Sequence, residues 1–171
     1  GDYWYETVVA DTQPVTYTAP YYDPIAHQLM ITIGRKINNP YDGSFIGAFG
    51  SDLILQSIQE DIRGLSYLNE GRTLLFDKNS GYMIADSQNT ITSLTSYTVL
   101  FSAKMWNSFL NSQGTLLKFD NYYYMSVDLN VSNGQYMLVS LIEQQHIFDT
   151  FSEITKSVDD MIKKEIGIVV G

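Results

Sequence analysis

Leu29-Met30-Ile31-Thr32-Ile33-Gly34 and Phe45-Ile46-Gly47-Ala48-Phe49-Gly50-Ser51 are the two stretches that decide the fold. In the first, Leu29, Ile31 and Ile33 alternate with Met30, Thr32 and Gly34, the two-residue period of a strand with one buried face. The second is a short apolar run containing glycine, as expected of a neighbouring strand. Between them, Asn38-Asn39-Pro40-Tyr41-Asp42-Gly43 holds residues that reverse a chain, so the segment reads as a hairpin. The first fifty residues as a whole read mostly as strands. Asp52 then precedes Leu53, Ile54, Leu55, Ile58, Ile62 and Leu65, a helical spacing with an acceptor at the expected N-cap and Gly64 near its end.

A second series of strands follows that helix. Thr73 to Asp77, the turn Lys78-Asn79-Ser80-Gly81 and Tyr82 to Asp86 read as another hairpin. Leu116 to Phe119, Tyr122 to Leu129 and Tyr136 to Ile142 continue the pattern, with reversals at Asp120-Asn121 and Ser132-Asn133-Gly134. Two antiparallel sheets of three to five strands with a helix between them give an α+β architecture in two consecutive subdomains. Near the end, Ile147, Phe151, Ile154, Val158 and Met161 recur at helical intervals and share one face. The ordinary meaning of such a stripe is packing against its own domain; a helix descending to a bilayer is the alternative, since Lys163-Lys164 leads into the apolar run Ile166 to Gly171.

Composition narrows the function. The 171 residues carry 19 Asp plus Glu against 10 Lys plus Arg, a formal net charge of -9, which repels phosphate backbones and excludes nucleic acid as the expected partner. With no cysteine there is no disulfide framework, no thiolate nucleophile and no cysteine-based metal site. His27 and His146 are the only histidines, and neither lies in a nucleophile motif. The carboxylate pairs Glu60-Asp61 and Asp159-Asp160 fall on expected helices, where a solvated face is their ordinary role. No phosphate-loop, dinucleotide or H-E-x-x-H string occurs. The expectation is a binding module without cofactor, metal or catalytic residue.

Aromatics and acids concentrate near the start, at Tyr3, Trp4 and Tyr5, at Pro20-Tyr21-Tyr22-Asp23 and at Gly50-Ser51-Asp52. Ring faces attract cations, and carboxylates beside them complete a box for an ammonium group. Taken singly, each residue has a structural reading too: core for the rings, a turn for Asp23 before Pro24, a helix cap for Asp52.

Several strings resemble the double Cache (dCache) sensor family in their joint order: Trp4 to Ala10, Ala19-Pro20-Tyr21-Tyr22-Asp23, Ile31-Thr32-Ile33, Ile46 to Leu53, Leu74 to Ala85 and Gly134 to Ile142. The resemblance spans about Trp4 to Glu153. It implies two PAS-like (Cache) lobes and a C-terminal helix, with the family's long N-terminal helix missing from this stretch. Residues 1–62 would be most of a membrane-distal lobe, 63–145 the proximal lobe, and 146–171 an exit helix with the start of a membrane segment. It further implies an extracytoplasmic (periplasmic or extracellular) ligand-binding part of a membrane signalling receptor, with homodimerisation left open. An interaction module in a channel auxiliary subunit is the alternative. In the amine-binding and amino-acid-binding members the distal pocket uses residues that fall on Trp4, Tyr5, Tyr21, Asp23 and Asp52. Amino-acid binders also carry an Arg where this sequence has Asp2, which favours an amine lacking a carboxylate, or a pocket whose ligand differs altogether. Arg35 or Lys36 could replace that Arg only if turned inward, and both are expected at the surface.

Overall fold

The computed structural model describes residues 2–64, 70–130 and 134–170, without the side chains of 151 and 163–170. Leu65, Ser132, Asn133, Gly171 and the Phe151 side chain, all named above, lie outside that set. A helix α1 (Tyr3–Ala10) is followed by β1 (Thr16–Tyr17), β2 (Tyr21–Asp23), β3 (Gln28–Asn38) and β4 (Phe45–Ile54), then by α2 (Leu55–Arg63). β5 (Arg72–Asp77), β6 (Met83–Asp86), α3 (Ala103–Asn111), β7 (Leu116–Phe119), β8 (Tyr122–Asp128), β9 (Tyr136–Glu143) and α4 (Gln144–Val170) complete the chain. The first sheet is antiparallel, with β1 and β2 on one side of β3 and β4 on the other. The second has the order β6-β5-β9-β8-β7, again antiparallel. This is the α+β architecture of two sheets and a terminal helix that the patterning implies.

Both hairpins form where turn residues interrupt the alternation. β3 and β4 pair with Thr32 opposite Asp52 and Gly34 opposite Gly50, and β5 pairs with β6 around the Asp77-to-Gly81 turn. Within the mostly stranded first fifty residues, Tyr3–Ala10 is a helix. Two readings need correction. Asp52 is not a helix cap: β4 continues through Ile54, α2 starts at Leu55, and the capping position is Ile54, with no side-chain cap. The ladder with β3 and a hydrogen bond from Thr32 hold Asp52 in the strand. The later part of the stripe on α4 does not pack on the body, since Ile154, Val158 and Met161 are exposed, while Ile147 at its start is half-buried. No helix among the described residues is long and apolar enough to cross a membrane.

β5 is buried on both faces, which is why Thr73-Leu74-Leu75-Phe76 shows no polar alternation. On one face Leu74 and Phe76 join Met137, Val139 and Tyr124 beneath Phe101, Trp106 and Phe109 of the α3 region. Ser102 caps α3, its hydroxyl accepting from the Met105 amide at 3.3 Å. On the other face Leu75, Ile84 and Ala85 pack with Leu29, Ile31, Leu55 and Ile62, so the two sheets share a core with α2 between them.

One buried polar side chain fastens that contact. Gln59 of α2 is 2% exposed. Its amide donates to the Asn89 carbonyl at 2.5 Å and accepts from the Ile91 amide at 3.1 Å, closing both edges against the segment after β6. The same segment is braced by Asp86, which accepts two bonds from the Arg72 guanidinium at 3.0 and 2.6 Å and one each from the Gln88 amide and the Asn89 side chain. Burial works to raise the Asp86 pKa, but the Arg72 fork and the Gln88 and Asn89 donors outweigh it and hold the carboxyl below the usual carboxylate range.

Gln59→Ala orphans one amide and one carbonyl, and urea unfolding should show a loss of about 2 kcal/mol; a loss under about 0.5 kcal/mol, the scale of an ordinary surface change, would deny the clamp. Because the folded pKa of Asp86 is lowered, its contribution is present above the unfolded value of ~3.9 and disappears as pH falls through the folded one. Asp86→Asn should therefore be less stable than the parent at pH 7, with the gap narrowing as acid is added. A gap that stays constant down to acid unfolding would contradict the assignment.

Candidate functional site

The site is built on the face of the first sheet that α1 crosses. Paired register puts Thr32, Gly34, Gly50 and Asp52 on one side of the β3–β4 ladder. The two glycines leave the space in which α1 lies. A Cβ on Gly34 would run into the Val8 side chain, and one on Gly50 would stand 2.9 Å from Thr32 Cγ2 and 3.0 Å from Trp4 Cζ3. Val8 is fully buried there, and the Trp4 indole covers Gly50, one pleat from Asp52. Lys36 donates its Nζ to the Val9 carbonyl at 3.0 Å, tying down the end of α1. It is half-buried rather than at the surface, while Arg35 is exposed as expected.

Thr32 is the hub. It is 1% exposed, and its backbone amide donates to Thr18 Oγ1 at 2.9 Å. Its hydroxyl donates to Asp52 Oδ1 at 2.6 Å and lies 2.8 Å from the Tyr21 hydroxyl. A threonine has one hydroxyl proton, and with it given to the Asp52 carboxylate, Tyr21 must be the donor to Thr32. The order is fixed as Tyr21 to Thr32 to Asp52. Burial above all, with the negative charges of Asp52 and Asp23, pushes the Tyr21 pKa up, so the phenol stays a neutral donor at physiological pH. The second Asp52 oxygen has no hydrogen-bond partner among the described residues, and Asp52 is exposed.

Of the five expected site residues, Trp4, Tyr21 and Asp52 come together around Thr32. Tyr5 stands edge-on to Trp4 with ring centroids 5.7 Å apart and is itself exposed. Asp23 accepts from the amides of Ile25 and Ala26 at 2.8 and 2.6 Å through Oδ1, the turn role open to an Asp before Pro24. Its charge still reaches Tyr21. Two members were missed. Tyr3 packs its ring 5.1 Å from that of Tyr21, and Thr32 makes the central link. Tyr3 stood in the aromatic cluster; Thr32 could have been found as the one polar side chain in the apolar run Leu29 to Gly34.

The arrangement offers an acid backed by a hydrogen-bonded phenol and flanked by rings, which suits an ammonium group. Three cavities lie away from it. One of about 400 Å³ lies between the β2–β3 turn and α2. A second of about 480 Å³ lies between residues 11–17 and the turns at Lys78-Asn79 and Gly134-Gln135. A third of about 320 Å³ lies on the inner face of the second sheet, at the start of α4. The described residues contain no cluster able to hold a metal ion.

No protein-family model matches the sequence, and no curated protein does. Solved structures do match. The extracellular domain of mmHK1S-Z3, assigned as a histidine kinase, superposes with TM-score 0.71 at 15% identity over 90% of this chain and 57% of that one. The ligand-binding domain of Mlp24 with asparagine gives TM-score 0.56 at 18% identity over 86% and 57%. The sensory domain of the Campylobacter jejuni chemoreceptor Tlp3 with isoleucine gives 0.52 at 20% identity over 84% and 54%. The chain thus spans a little over half the length of each of these structures.

Gly50→Ala should push Trp4 off the sheet, red-shifting its fluorescence and costing about 1–3 kcal/mol by overpacking. Gly47→Ala, with nothing within 4 Å of its added Cβ, is the control. Equal spectra for both variants would refute the seating of Trp4.

Proposed function

We propose that this chain, which has the double Cache fold of chemoreceptor and sensor-kinase ligand-binding domains, is the extracytoplasmic ligand-binding part of a membrane signalling receptor. In this reading residues 1–62 are most of the distal lobe, 63–145 the proximal lobe and 146–171 the exit helix. A small amine or amino acid binds at Trp4, Tyr5, Tyr21, Asp23 and Asp52, and α4 carries the response. The observation that supports it is the Tyr21-to-Thr32-to-Asp52 chain beside Trp4, which presents one free carboxylate oxygen next to aromatic faces.

The relatives in fold argue for this ligand class, since Mlp24 was solved with asparagine, Tlp3 with isoleucine and a Pseudomonas fluorescens chemoreceptor, CtaA, with L-serine. Charge argues for an amine within it. Asp2 is an exposed acid, and Lys36 spends its ammonium on the Val9 carbonyl, so neither provides a fork for a ligand carboxylate. A ligand acts through such a site only by binding two conformations unequally.

A thermal-shift screen of the receptor's extracytoplasmic region against small amines and L-amino acids tests the reading. A ligand at 100 times its dissociation constant should add ~2.7 kcal/mol of stability, and primary amines should outrank the corresponding amino acids. Asp52→Ala should abolish the shift, and because it takes the acceptor from the buried Thr32 hydroxyl it should also cost the unliganded fold about 1–3 kcal/mol, so the shift is read against the variant's own unliganded melting temperature. Full retention of affinity by that variant would sink the proposal.

A further inference from the structure

The inner face of the second sheet is only partly covered. Its deeper rows lie beneath Trp106 and Phe109, but the cover ends at Leu100-Phe101. Beyond that, Arg72 lies opposite Leu141, which lies opposite Tyr124, and Glu143 lies opposite Tyr122. These residues face the cavity of about 320 Å³, at the small end of the ~300–1,000 Å³ of ligand pockets. Its mouth is formed by Glu70 and by His146 in the first turn of α4.

The two ends of this cavity differ in chemistry. At the sheet, Arg72 gives Nε and Nη2 to Asp86, which leaves Nη1 without a partner among the described residues. Tyr124 is 7% exposed, and its hydroxyl likewise has no hydrogen-bond partner there. Burial first, then the neighbouring Tyr122 and Asp120, pushes the Tyr124 pKa up and keeps the phenol protonated. Two unspent donors that line one cavity, on either side of Leu141, match a carboxylate. At the mouth, Glu70 and Glu143 are 52% and 42% exposed and share a single imidazole, Glu70 against Nδ1 of His146 and Glu143 at 3.6 Å from Nε2. Those acids match an ammonium. Leu74, Phe101 and Leu141 supply the apolar part of the lining.

We propose that this cavity is a second ligand site, independent of the Asp52 face, which takes a small zwitterion with its carboxylate on Arg72 and Tyr124 and its ammonium on Glu70 and Glu143. An occupant competes with His146 for the two glutamates and so acts directly on the start of α4.

The test is NMR of the full chain carrying ¹³C-labelled histidine, titrated with L-alanine, L-valine, β-alanine and γ-aminobutyrate, with ethylamine and propionate as single-charge controls. His27, at the separate cavity between the β2–β3 turn and α2, is the internal reference. At least one zwitterion should move the His146 resonances saturably and leave His27 unmoved. Its affinity should fall about tenfold in Tyr124→Phe, which keeps the ring and loses only the hydroxyl, and about tenfold in Glu143→Gln. It should be unchanged in Asp52→Ala, which separates this site from the first one whether or not that one binds amines. Zwitterions that leave His146 unmoved, undiminished binding to Tyr124→Phe, loss of binding in Asp52→Ala, or controls that bind as well as the zwitterions would each overturn the proposal.

Discussion

The hydroxyl of Thr32 has one proton to give, and Asp52 takes it. That single commitment orders the first sheet's working face. It turns the Tyr21 phenol inward as a donor, holds the Asp52 carboxylate in the strand rather than at a helix end, and leaves the other carboxylate oxygen outward. The Thr32 main chain is tied to Thr18, by amide to hydroxyl and by carbonyl to amide, so the hub cannot shift without unzipping β3 from its neighbour. Because Thr32 is buried, each of these bonds stands in for water, and removing one partner would leave a polar group stranded.

Around that hub the packing is a matter of what is absent. Gly34 and Gly50 carry no side chains, so Val8 and Trp4 can lie on the strand backbone and α1 can cross at close range. The result is aromatic surface beside an acid. Asp52 lies three residues before α2, and α2 is fixed to the second sheet by the Gln59 amide and by the core it shares with Leu75, Ile84 and Ala85. A rearrangement at Asp52 would therefore act on a helix already fastened to the sheet from which α4 departs.

The sequence makes some of this legible and hides the rest, for physical reasons. Both hairpins are visible because a half-buried strand must alternate and because Asn, Asp, Gly and Pro gather where chains reverse. Helix α1 is invisible to the same logic: Tyr3, Trp4, Tyr5, Val8 and Val9 favour strands, and only the two glycines opposite, more than twenty residues away, make room for a helix. Asp52 before an apolar run looks like a cap, and only cross-strand pairing shows otherwise. Helix α3 did announce itself through Ser102 and the spacing of Met105, Trp106 and Phe109, a signal left unread. The site residues were named by family resemblance. Elementary chemistry could say that acids beside rings suit a cation, but not that Thr32 joins two of them or that Asp23 serves a turn.

The most direct measurement is calorimetric titration of Thr32→Val with the tightest-binding primary amine. This substitution preserves shape and deletes only the hydroxyl that joins Tyr21 to Asp52. If that hydroxyl positions the acid, the dissociation constant should rise about tenfold, close to the worth of one charge-assisted hydrogen bond. An unchanged dissociation constant in a folded Thr32→Val protein would contradict the account at its centre.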